Sequence, residues 1–330
     1  MKSFVAPSRL LSRALLAAML VATAGASLAQ QAFPNRPIRL ITPYAAGSSP
    51  DTIARMIGPK LTEAWGQQVL VDPRPGGNTV IGSDALAKAK PDGYTLLLIS
   101  TTHVLNGLLV PNLPYDTVKD FAPVATIASS ELVQVVHPSV PGTTLKEFIA
   151  YAKSKPGQVS YATASAGGPT HMAPELLSMM TGIKLLHVPY KGSGPAVTDL
   201  VGGQVNMYFS APISVLSFIN TGKLKALAIS GDARSPVLPQ VPTFTELGLP
   251  GMDLRFWYGV LAPAGTPKDV LDKLSAEIGK IVVAPDMKDK LSGQGADPFV
   301  NSPEKFVGII QSDMARYDKV IKAASIKLNP

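Results

Sequence analysis

Segments with the hydrophobic pattern of strands alternate with helix-like segments along almost the whole chain. The predicted strands cover residues 38–42, 69–71, 94–100, 159–162, 185–188, 205–209 and 226–229. The predicted helices cover residues 51–65, 78–89, 145–153, 172–181, 196–201, 212–221, 268–282 and 303–324, the last two ending the chain. Such alternation is typical of α/β folds and predicts mostly parallel sheets. Gly58 and Pro59 are expected to kink or interrupt the first helix.

Two apolar segments lie outside this alternation and have the character of crossovers between domains. Residues 121–136 form a long β-rich segment with few turn signals, and residues 254–261 are apolar and aromatic. A chain of 330 residues is long enough for about two domains. We therefore expect one discontinuous lobe, residues 30–130 plus 253–330, and a second lobe, residues 131–252. A cleft between lobes suits a small ligand, and a two-segment hinge permits closure around it.

Two Gly/Ser-rich stretches, residues 44–51 and 163–170, each follow a predicted strand and lead into a helical segment. We call them the first loop and the second loop. Backbone N–H groups at a helix start have no partner within the helix and attract anions. Two such loops therefore predict a cleft that holds an anion, most simply a carboxylate.

The first 29 residues have the pattern of a secretory signal peptide. A basic segment at residues 2–13 precedes an apolar stretch at residues 14–24, and a small-x-small cleavage site follows at residues 27–29. No segment offers the roughly 18 uninterrupted apolar residues that a transmembrane helix needs. We expect cleavage between Ala29 and Gln30, and a mature chain that is soluble in the periplasm.

Composition and motifs exclude several classes of function. The chain has no cysteine, which excludes disulfides, thiolate catalysis and lipid attachment through a thioether, and its four histidines lack metal-ligand spacing, so no metal site is expected. Without the signal the chain has 27 basic and 23 acidic residues, a net charge of +4. Because this excess forms no basic run, nucleic acid is not an expected partner.

Enzyme-like patterns occur only as chance matches. Tyr151 and Lys155 share a helical segment with no glycine-rich nucleotide loop before it, and Ser302 with Lys305 is better explained by a helix start. Walker, His-Glu-x-x-His and Gly-x-Ser-x-Gly motifs are absent from the sequence. We therefore expect no catalytic residues and no cofactor. A secreted hydrolase stays as an alternative that a turnover assay would detect.

Several short motifs, met in one order along the chain, resemble those of one receptor family. They lie at residues 34–41, 43–47 with Asp51 and Arg55, 74–77, 91–96, 171–175, 188–192, 199–203, 257–259 and 262–267. Each motif is weak alone, but together they are specific. The chain resembles the extracytoplasmic solute receptors of the tripartite tricarboxylate transporter family, often called Bug receptors.

This resemblance implies a two-lobed, type II-like periplasmic binding-protein fold with a hinge of two crossover segments. It implies a ligand held partly through ordered water: a di- or tricarboxylate, an acidic amino acid or an aromatic acid. The partner would be a membrane permease of one large and one small subunit, and the receptor itself is expected to be a monomer. The alternative is a binding protein or sensor for an uncharged molecule on the same fold. Two departures from the family pattern, Ser48 in place of a second glycine and Asn206 in place of Asp, bear on which ligand is bound.

The two loops supply most of the candidate ligand-binding residues. The first loop contributes Tyr44, Ala46, Gly47, Ser48, Ser49 and Asp51, and the second contributes Ser165, Ala166, Gly167, Gly168, Thr170 and His171. Ser48 or Ser49 is expected to cap the helix. Asp51 either caps the same helix or meets a ligand amine or a water. His171 either donates to a carboxylate or is a local hydrogen-bonding group.

The ends of predicted strands and the second crossover supply the remaining candidates, because α/β clefts bind ligands at the carboxyl ends of strands. These are Thr101, Thr102, Tyr190, Phe209, Ser210 and Trp257. Tyr190 is a wall of the pocket or a hydroxyl donor, and Trp257 lines the cleft or is a hinge or core aromatic. Lys191 could act as a counter-ion, but its strongly hydrated, flexible ammonium disfavours direct contact.

Overall fold

The computed structural model describes residues 33–165, 167–252 and 254–324, and all contacts discussed below lie within residues 36–324. The predicted signal peptide and Ala166 lie outside the described residues. The helices are α1 Ser49–Trp65, α2 Val80–Ala87, α3 Thr102–Leu109, α4 Leu145–Ser154, α5 Pro169–Thr181, α6 Ser193–Val201, α7 Pro212–Asn220, α8 Lys268–Val283, α9 Pro285–Ser292 and α10 Pro303–Ala324. The strands are β1 Ile38–Thr42, β2 Val69–Pro73, β3 Thr95–Ser100, β4 Phe121–Glu131, β5 Val133–Val136, β6 Val159–Thr163, β7 Leu185–Pro189, β8 Met207–Ser210, β9 Lys225–Ile229, β10 Arg255–Pro263 and β11 Asp297–Pro298.

The strands form two sheets, each covered by helices. The first sheet has the order β11-β4-β10-β3-β1-β2, and the second has the order β7-β6-β8-β5-β9. We call the first sheet with its helices lobe 1 and the second sheet with its helices lobe 2. None of the helices among the described residues is long and apolar enough to span a bilayer.

Both sheets are mixed, so the expectation of mostly parallel sheets is wrong. Strand β1 pairs parallel with β2 and β3, and β6 pairs parallel with β7 and β8. The strands next to the crossovers pair antiparallel: β10 with β3 and β4, and β5 with β8 and β9. The reason is topological, because a strand that crosses directly from one sheet to the other has no crossover helix to reverse its direction.

Local sequence explains the elements that carry the site. Strand β3 is a continuous apolar run, and its residues Leu96–Ile99 are at most 1% exposed, as expected for a strand covered on both faces. Helix α1 continues through Pro59 as a single element, so Gly58 and Pro59 do not interrupt it. The Thr62 hydroxyl donates to the Gly58 carbonyl at 3.0 Å inside that turn. A Cβ on Gly58 would lie 3.3 Å from Val71, so the glycine permits close packing of the helix on β2.

The sequence pattern does not predict two of the helices. Helix α3 follows β3 after a single residue, so no glycine or proline marks the turn between the two elements. Helix α9 is short and begins at Pro285 directly after α8. Up to residue 324, three helices rather than the two expected therefore follow β10.

The two crossovers lie side by side and are joined by one buried serine. Leu132 connects β4 to β5, and Leu254 precedes β10. The Ser230 Oγ accepts from the Leu132 N–H at 2.8 Å and donates to the Leu254 carbonyl at 2.6 Å. The Ser230 N–H in turn donates to the Leu132 carbonyl at 2.8 Å. Ser230 thus links both crossing segments at the point where a hinge of two strands would bend.

Candidate functional site

The first loop connects β1 to α1 and is organised by its own side chains. Ser48 is the N-cap of α1, and its hydroxyl accepts from the Asp51 N–H at 3.5 Å. The Asp51 Oδ2 accepts from the Gly47 N–H and from the Arg55 Nε, each at 3.0 Å. Asp51 is buried. It therefore bonds the backbone that precedes the Ser48 cap, and it already brings a negative charge to the start of α1.

The second loop connects β6 to α5 and is organised without an acid. The Thr170 Oγ1 accepts from the Ala164 N–H at 3.0 Å, and the His171 Nδ1 accepts from the Gly167 N–H at 2.9 Å. Gly168 is the N-cap of α5 and makes no side-chain cap bond. Burial, together with the neighbouring His187, lowers the pKa of His171 to about 4, so the ring is neutral at pH 7. His171 thus acts as a local acceptor within the loop.

Between the two loops lies a narrow cavity of about 20 Å³, which we call the inner cavity. Its lining is rich in hydroxyl groups and is made of Tyr44, Ser49, Pro50, Ser100, Thr102, Ala164, Ser165, Pro169, Thr170, Ser193, Tyr208, Ala211, Phe256 and Tyr258. None of these side chains carries a formal charge. An anion bound here would be met by neutral hydrogen-bond donors.

The tyrosines of the inner cavity stay protonated at all ordinary pH values. Burial raises the pKa of Tyr44 and of Tyr208 to about 12, and burial also raises the pKa of Tyr258. The Tyr44 hydroxyl contacts the Ser100 Oγ at 2.8 Å, and the Tyr208 hydroxyl donates to the Ser193 Oγ at 3.0 Å. These bonds hold the hydroxyls in fixed positions around the cavity.

A second cavity of about 180 Å³, the outer cavity, shares Tyr44, Ala164 and Ser165 with the inner one. Its other lining residues are Pro43, Pro75, Gly76, Gly77, Asn78, Thr79, Pro189, Tyr190, Lys191 and Gly192. The shared residues make the two cavities parts of one elongated cleft between the lobes.

Direct contacts hold the lobes together around this cleft. The Ser49 and Ser214 hydroxyls, from α1 and α7, are 2.7 Å apart. A Cβ on Gly192 would lie 3.0 Å from the Ala45 Cβ. The structure is therefore that of a closed cleft.

The described residues contain no group of three or more His, Cys, Asp or Glu side chains that could hold a metal ion.

Comparison with known proteins identifies the family to which this chain belongs. Residues 53–326 match the model of the tripartite tricarboxylate transporter family receptor, TctC. The chain is 38% identical over 312 residues to protein BugT of Bordetella pertussis, covering 93% of this chain and 96% of that protein. The chain belongs to this receptor family.

Solved structures agree with the assignment. The receptor is similar to R. palustris Rpa4515 with adipate, with a TM-score of 0.87 and 32% identity over 89% of this chain and 99% of that one. It is also similar to MatC from Rhodopseudomonas palustris with bound malate, with a TM-score of 0.83 and 31% identity over 88% and 100% of the two chains. The receptor thus has the two-lobed fold of periplasmic binding proteins, and it is a periplasmic solute-binding receptor rather than an enzyme.

In the receptor, six of the predicted site residues line the cleft: Tyr44, Ser49, Thr102, Ser165, Thr170 and Tyr190. Ala46, Gly47, Ser48, Asp51, Gly167, Gly168 and His171 belong to the two loops but line neither cavity. Ala166 is outside the described residues. The two loops therefore face each other across the cleft. The residues that cap their helices do not line the cleft.

Four predicted residues lie elsewhere, and strand geometry explains the two aromatic ones. The Trp257 Nε1 donates to the Asp313 Oδ2 at 2.6 Å on the side of α10, and the Phe209 ring stacks on Phe244 at 5.8 Å. Neighbouring strand residues face opposite sides, so Phe256 and Tyr258 face the cleft in place of Trp257.

By the same alternation, Tyr208 faces the cleft in place of Phe209. The other two predicted residues, Thr101 and Ser210, use their hydroxyl groups in hydrogen bonds with the backbone. The Thr101 Oγ1 accepts from the Trp257 N–H at 3.1 Å, and the Ser210 Oγ donates to the Ala211 carbonyl at 3.2 Å. Neither lines a cavity.

Sequence reasoning missed much of the lining: Pro43, Pro50, Gly76, Gly77, Asn78, Thr79, Ser100, Ser193, Tyr208, Phe256 and Tyr258. Two signals were available. The period of two along β8 and β10 places alternate aromatics on one face, and the Gly76–Gly77 pair marks an unusual backbone next to the cleft.

Proposed function

We propose that the receptor captures a small organic carboxylate in the cleft between its lobes and delivers it to a tripartite membrane permease of one large and one small subunit. The observation that carries the proposal is the inner cavity, where neutral, positioned hydroxyls from both lobes converge between two helix-leading loops. Hydrogen bonds from such donors to a carboxylate are charge-assisted and stronger than those to a neutral acceptor. The adipate and malate that accompany two similar structures are both carboxylates, which supports this ligand class.

Closure couples binding to transport in this proposal. A ligand shifts the open–closed equilibrium only to the extent that it binds the closed form better. The hydroxyls from α1 and β3 in lobe 1 and from the second loop and α6 in lobe 2 line one cavity in this closed form. The permease would then recognise the two lobes in their closed arrangement.

Three further features complete the proposal. Residues 1–29 direct export and are removed between Ala29 and Gln30. Lobe 1 spans residues 30–130 plus 253–330 and lobe 2 spans residues 131–252, which is consistent with the strands of each sheet. The receptor acts as a monomer. Amino-terminal sequencing of the periplasmic protein and light scattering after size exclusion test the first and third of these features.

Calorimetry with carboxylates and their amides tests the ligand class. A screen by thermal shift over mono-, di- and tricarboxylates, acidic amino acids and aromatic acids identifies binders, because a tight ligand raises stability by mass action. Each binder is then compared with its amide. We expect amidation to abolish binding, whereas equal affinity for acid and amide would favour a receptor for an uncharged molecule and overturn the proposal.

A further inference from the structure

The two cavities of the cleft differ in size. The inner cavity, at about 20 Å³, has room for little more than one water-sized group. The outer cavity, at about 180 Å³, shares Tyr44, Ala164 and Ser165 with it. A ligand held at the inner end by one small group therefore places its remaining atoms against the walls of the outer cavity.

The lobe 1 wall of the outer cavity is an unusual stretch of backbone, residues 76–79. Four consecutive residues have positive φ: Gly76 at 127°, Gly77 at 54°, Asn78 at 55° and Thr79 at 73°. A β-branched residue such as threonine rarely adopts this conformation. Such backbone persists only where the surrounding structure fixes it.

The side chain that fixes this segment is Asn106. Its Nδ2 donates to the Asn78 carbonyl at 2.6 Å and to the Thr79 Oγ1 at 2.9 Å. Its Oδ1 accepts from the Asn78 Nδ2 at 2.6 Å. Asn106 is only 1% exposed, so water does not compete for these three hydrogen bonds.

The position of Asn106 on α3 connects the lobe 1 walls of the two cavities. Thr102, one turn earlier on the same helix, lines the inner cavity, and its Oγ1 accepts from the Ser100 Oγ at 3.2 Å. Residues four apart lie on the same face of a helix. Asn106 itself lines neither cavity. It therefore acts on a ligand only through the segment that it holds.

We propose, resting on the capture of a carboxylate in this cleft, that Asn106 is a positioning residue that determines which sizes of ligand the receptor selects. It keeps residues 76–79 in the left-handed backbone that forms the lobe 1 wall of the outer cavity. Without its three bonds, Thr79 returns to a negative φ and the wall changes shape. A ligand then loses affinity in proportion to the surface that it places on this wall, whereas a group in the inner cavity is held as before.

Crystal structures of ligand-free variants test the first step of the proposal. In Asn106→Ala we expect Asn78 and Thr79 to leave the left-handed region. Asn106→Asp keeps the shape of the side chain and its Oδ1 acceptor but loses both Nδ2 donations, so it provides the same test if the alanine variant does not fold. A positive φ that persists at Asn78 and Thr79 without these bonds overturns the proposal.

Calorimetry with malonate, malate and adipate, acids of increasing chain length, tests the effect on selection. In Asn106→Ala the loss of affinity should increase along this series, from at most about twofold for malonate to about tenfold or more for adipate. A purely structural role of Asn106 would lower the stability of the fold and affect the three acids alike. Equal losses, or no loss, would therefore refute the role in selection.

Asn301→Ala is the matched control. Asn301 is a half-buried asparagine of lobe 1 whose Nδ2 donates to the Thr126 Oγ1 at 3.0 Å, and it lines neither cavity of the cleft. Its removal should leave all three affinities as in wild type. If the wild type binds none of the carboxylates of the thermal-shift screen, carboxylate capture itself fails, while the crystal structures still decide whether Asn106 holds the wall.

Discussion

The two loops look alike in sequence but are stabilised by opposite chemistry. In the first loop the Asp51 carboxylate accepts from the Gly47 N–H and is balanced by Arg55. In the second loop a neutral imidazole, His171, accepts from the Gly167 N–H. The start of α1 is therefore already occupied by an acid of the protein, whereas the start of α5 is free of fixed negative charge.

Because of this difference, we expect the two loops to contribute unequally to the binding of an anion. A carboxylate ligand near α1 is repelled by Asp51, so lobe 1 contributes mainly through hydroxyls such as those of Tyr44, Ser49 and Thr102. Near α5 the helix dipole acts on the ligand without competition. We infer that the second loop provides most of the affinity and the first loop mostly provides a rigid surface against which the cleft closes.

Adding a methyl group to each loop gives the largest expected contrast. On Gly168 the new Cβ would lie 2.2 Å from the Ser165 Oγ and 3.2 Å from the Thr102 Oγ1, both in the inner cavity. Gly168→Ala should weaken carboxylate binding by up to about 3 kcal/mol, roughly a hundredfold, because overpacking displaces these hydroxyls. Isothermal titration calorimetry measures the loss.

The matched change in the first loop is Gly47→Ala. A Cβ on Gly47 has open space around it, but its φ of 76° disfavours any side chain. We expect a loss of about 1–2 kcal/mol of stability with little change in affinity. A weaker ligand affinity in Gly47→Ala than in Gly168→Ala would reverse the assignment of the two loops.

Removing one serine hydroxyl from each loop gives the next largest contrast. Ser165 lines both cavities, so Ser165→Ala should cost about 1.5–3 kcal/mol of binding if it donates to a carboxylate. Ser48 caps α1 and lines neither cavity, so Ser48→Ala should lower stability by about 0.5–2 kcal/mol and leave affinity unchanged. Calorimetry and thermal unfolding of both variants separate these outcomes, and equal effects of the two on affinity would contradict the comparison.

The sequence was sufficient to predict the alternation of elements, the two loops and the crossovers, because these follow from local hydrophobic period and from glycine and proline. It did not reveal which face of a strand meets the cleft. The sequence predicts Trp257 of β10 as a lining residue, yet Phe256 and Tyr258 line the cavity. Side chains along a strand alternate between its two faces, so neighbouring residues point in opposite directions. The packing of α10 against one face of β10 decides which of these residues face the ligand.

The sequence also did not predict that residues 76–79 line the cleft, and the reason is different. The left-handed backbone at Asn78 and Thr79 is imposed by Asn106, which lies 27 or more residues further along the chain. No local propensity encodes such a long-range constraint. Only the adjacent Gly76–Gly77 pair indicated that the backbone there would be irregular.

Lowering the pH should reduce the stability of the protein through the second loop, because that loop depends on the neutral imidazole of His171. His171 has its pKa lowered to about 4, chiefly by burial and then by His187, whose ring lies 4.2 Å away. An unfolded histidine titrates near 6.5, so between pH 6.5 and 4 the unfolded chain binds more protons and stability falls as pH falls. The Glu175 Oε1 lies 3.9 Å from the His171 Nε2, and burial also lowers the pKa of the neighbouring His187.

Unfolding free energy measured between pH 7 and 5 tests this dependence. His171→Gln keeps an acceptor for the Gly167 N–H but cannot titrate, so it should remove about 1–2 kcal/mol of the loss at pH 5. His137→Gln, the same substitution at the far end of β5, is the matched control for the change of residue outside the second loop. An unaltered slope in His171→Gln would show that the imidazole does not carry the acid sensitivity of the second loop.

The smallest expected effect concerns the contact between α1 and lobe 2. The Ser49 and Ser214 hydroxyls bond at 2.7 Å across the cleft, and a neutral hydrogen bond of this kind contributes about 0.5–1.5 kcal/mol. Ser214 lines neither cavity. Ser214→Ala should therefore weaken ligand binding a few-fold purely by lowering the population of the closed form.

A double-mutant cycle isolates that contribution. If Ser49 acts through Ser214, the double variant Ser49→Ala with Ser214→Ala should lose less affinity than the two single losses added together. Ser217→Ala, an exposed serine one turn further along α7, should leave affinity unchanged. Strictly additive losses would mean that Ser49 affects binding independently of its bond to Ser214.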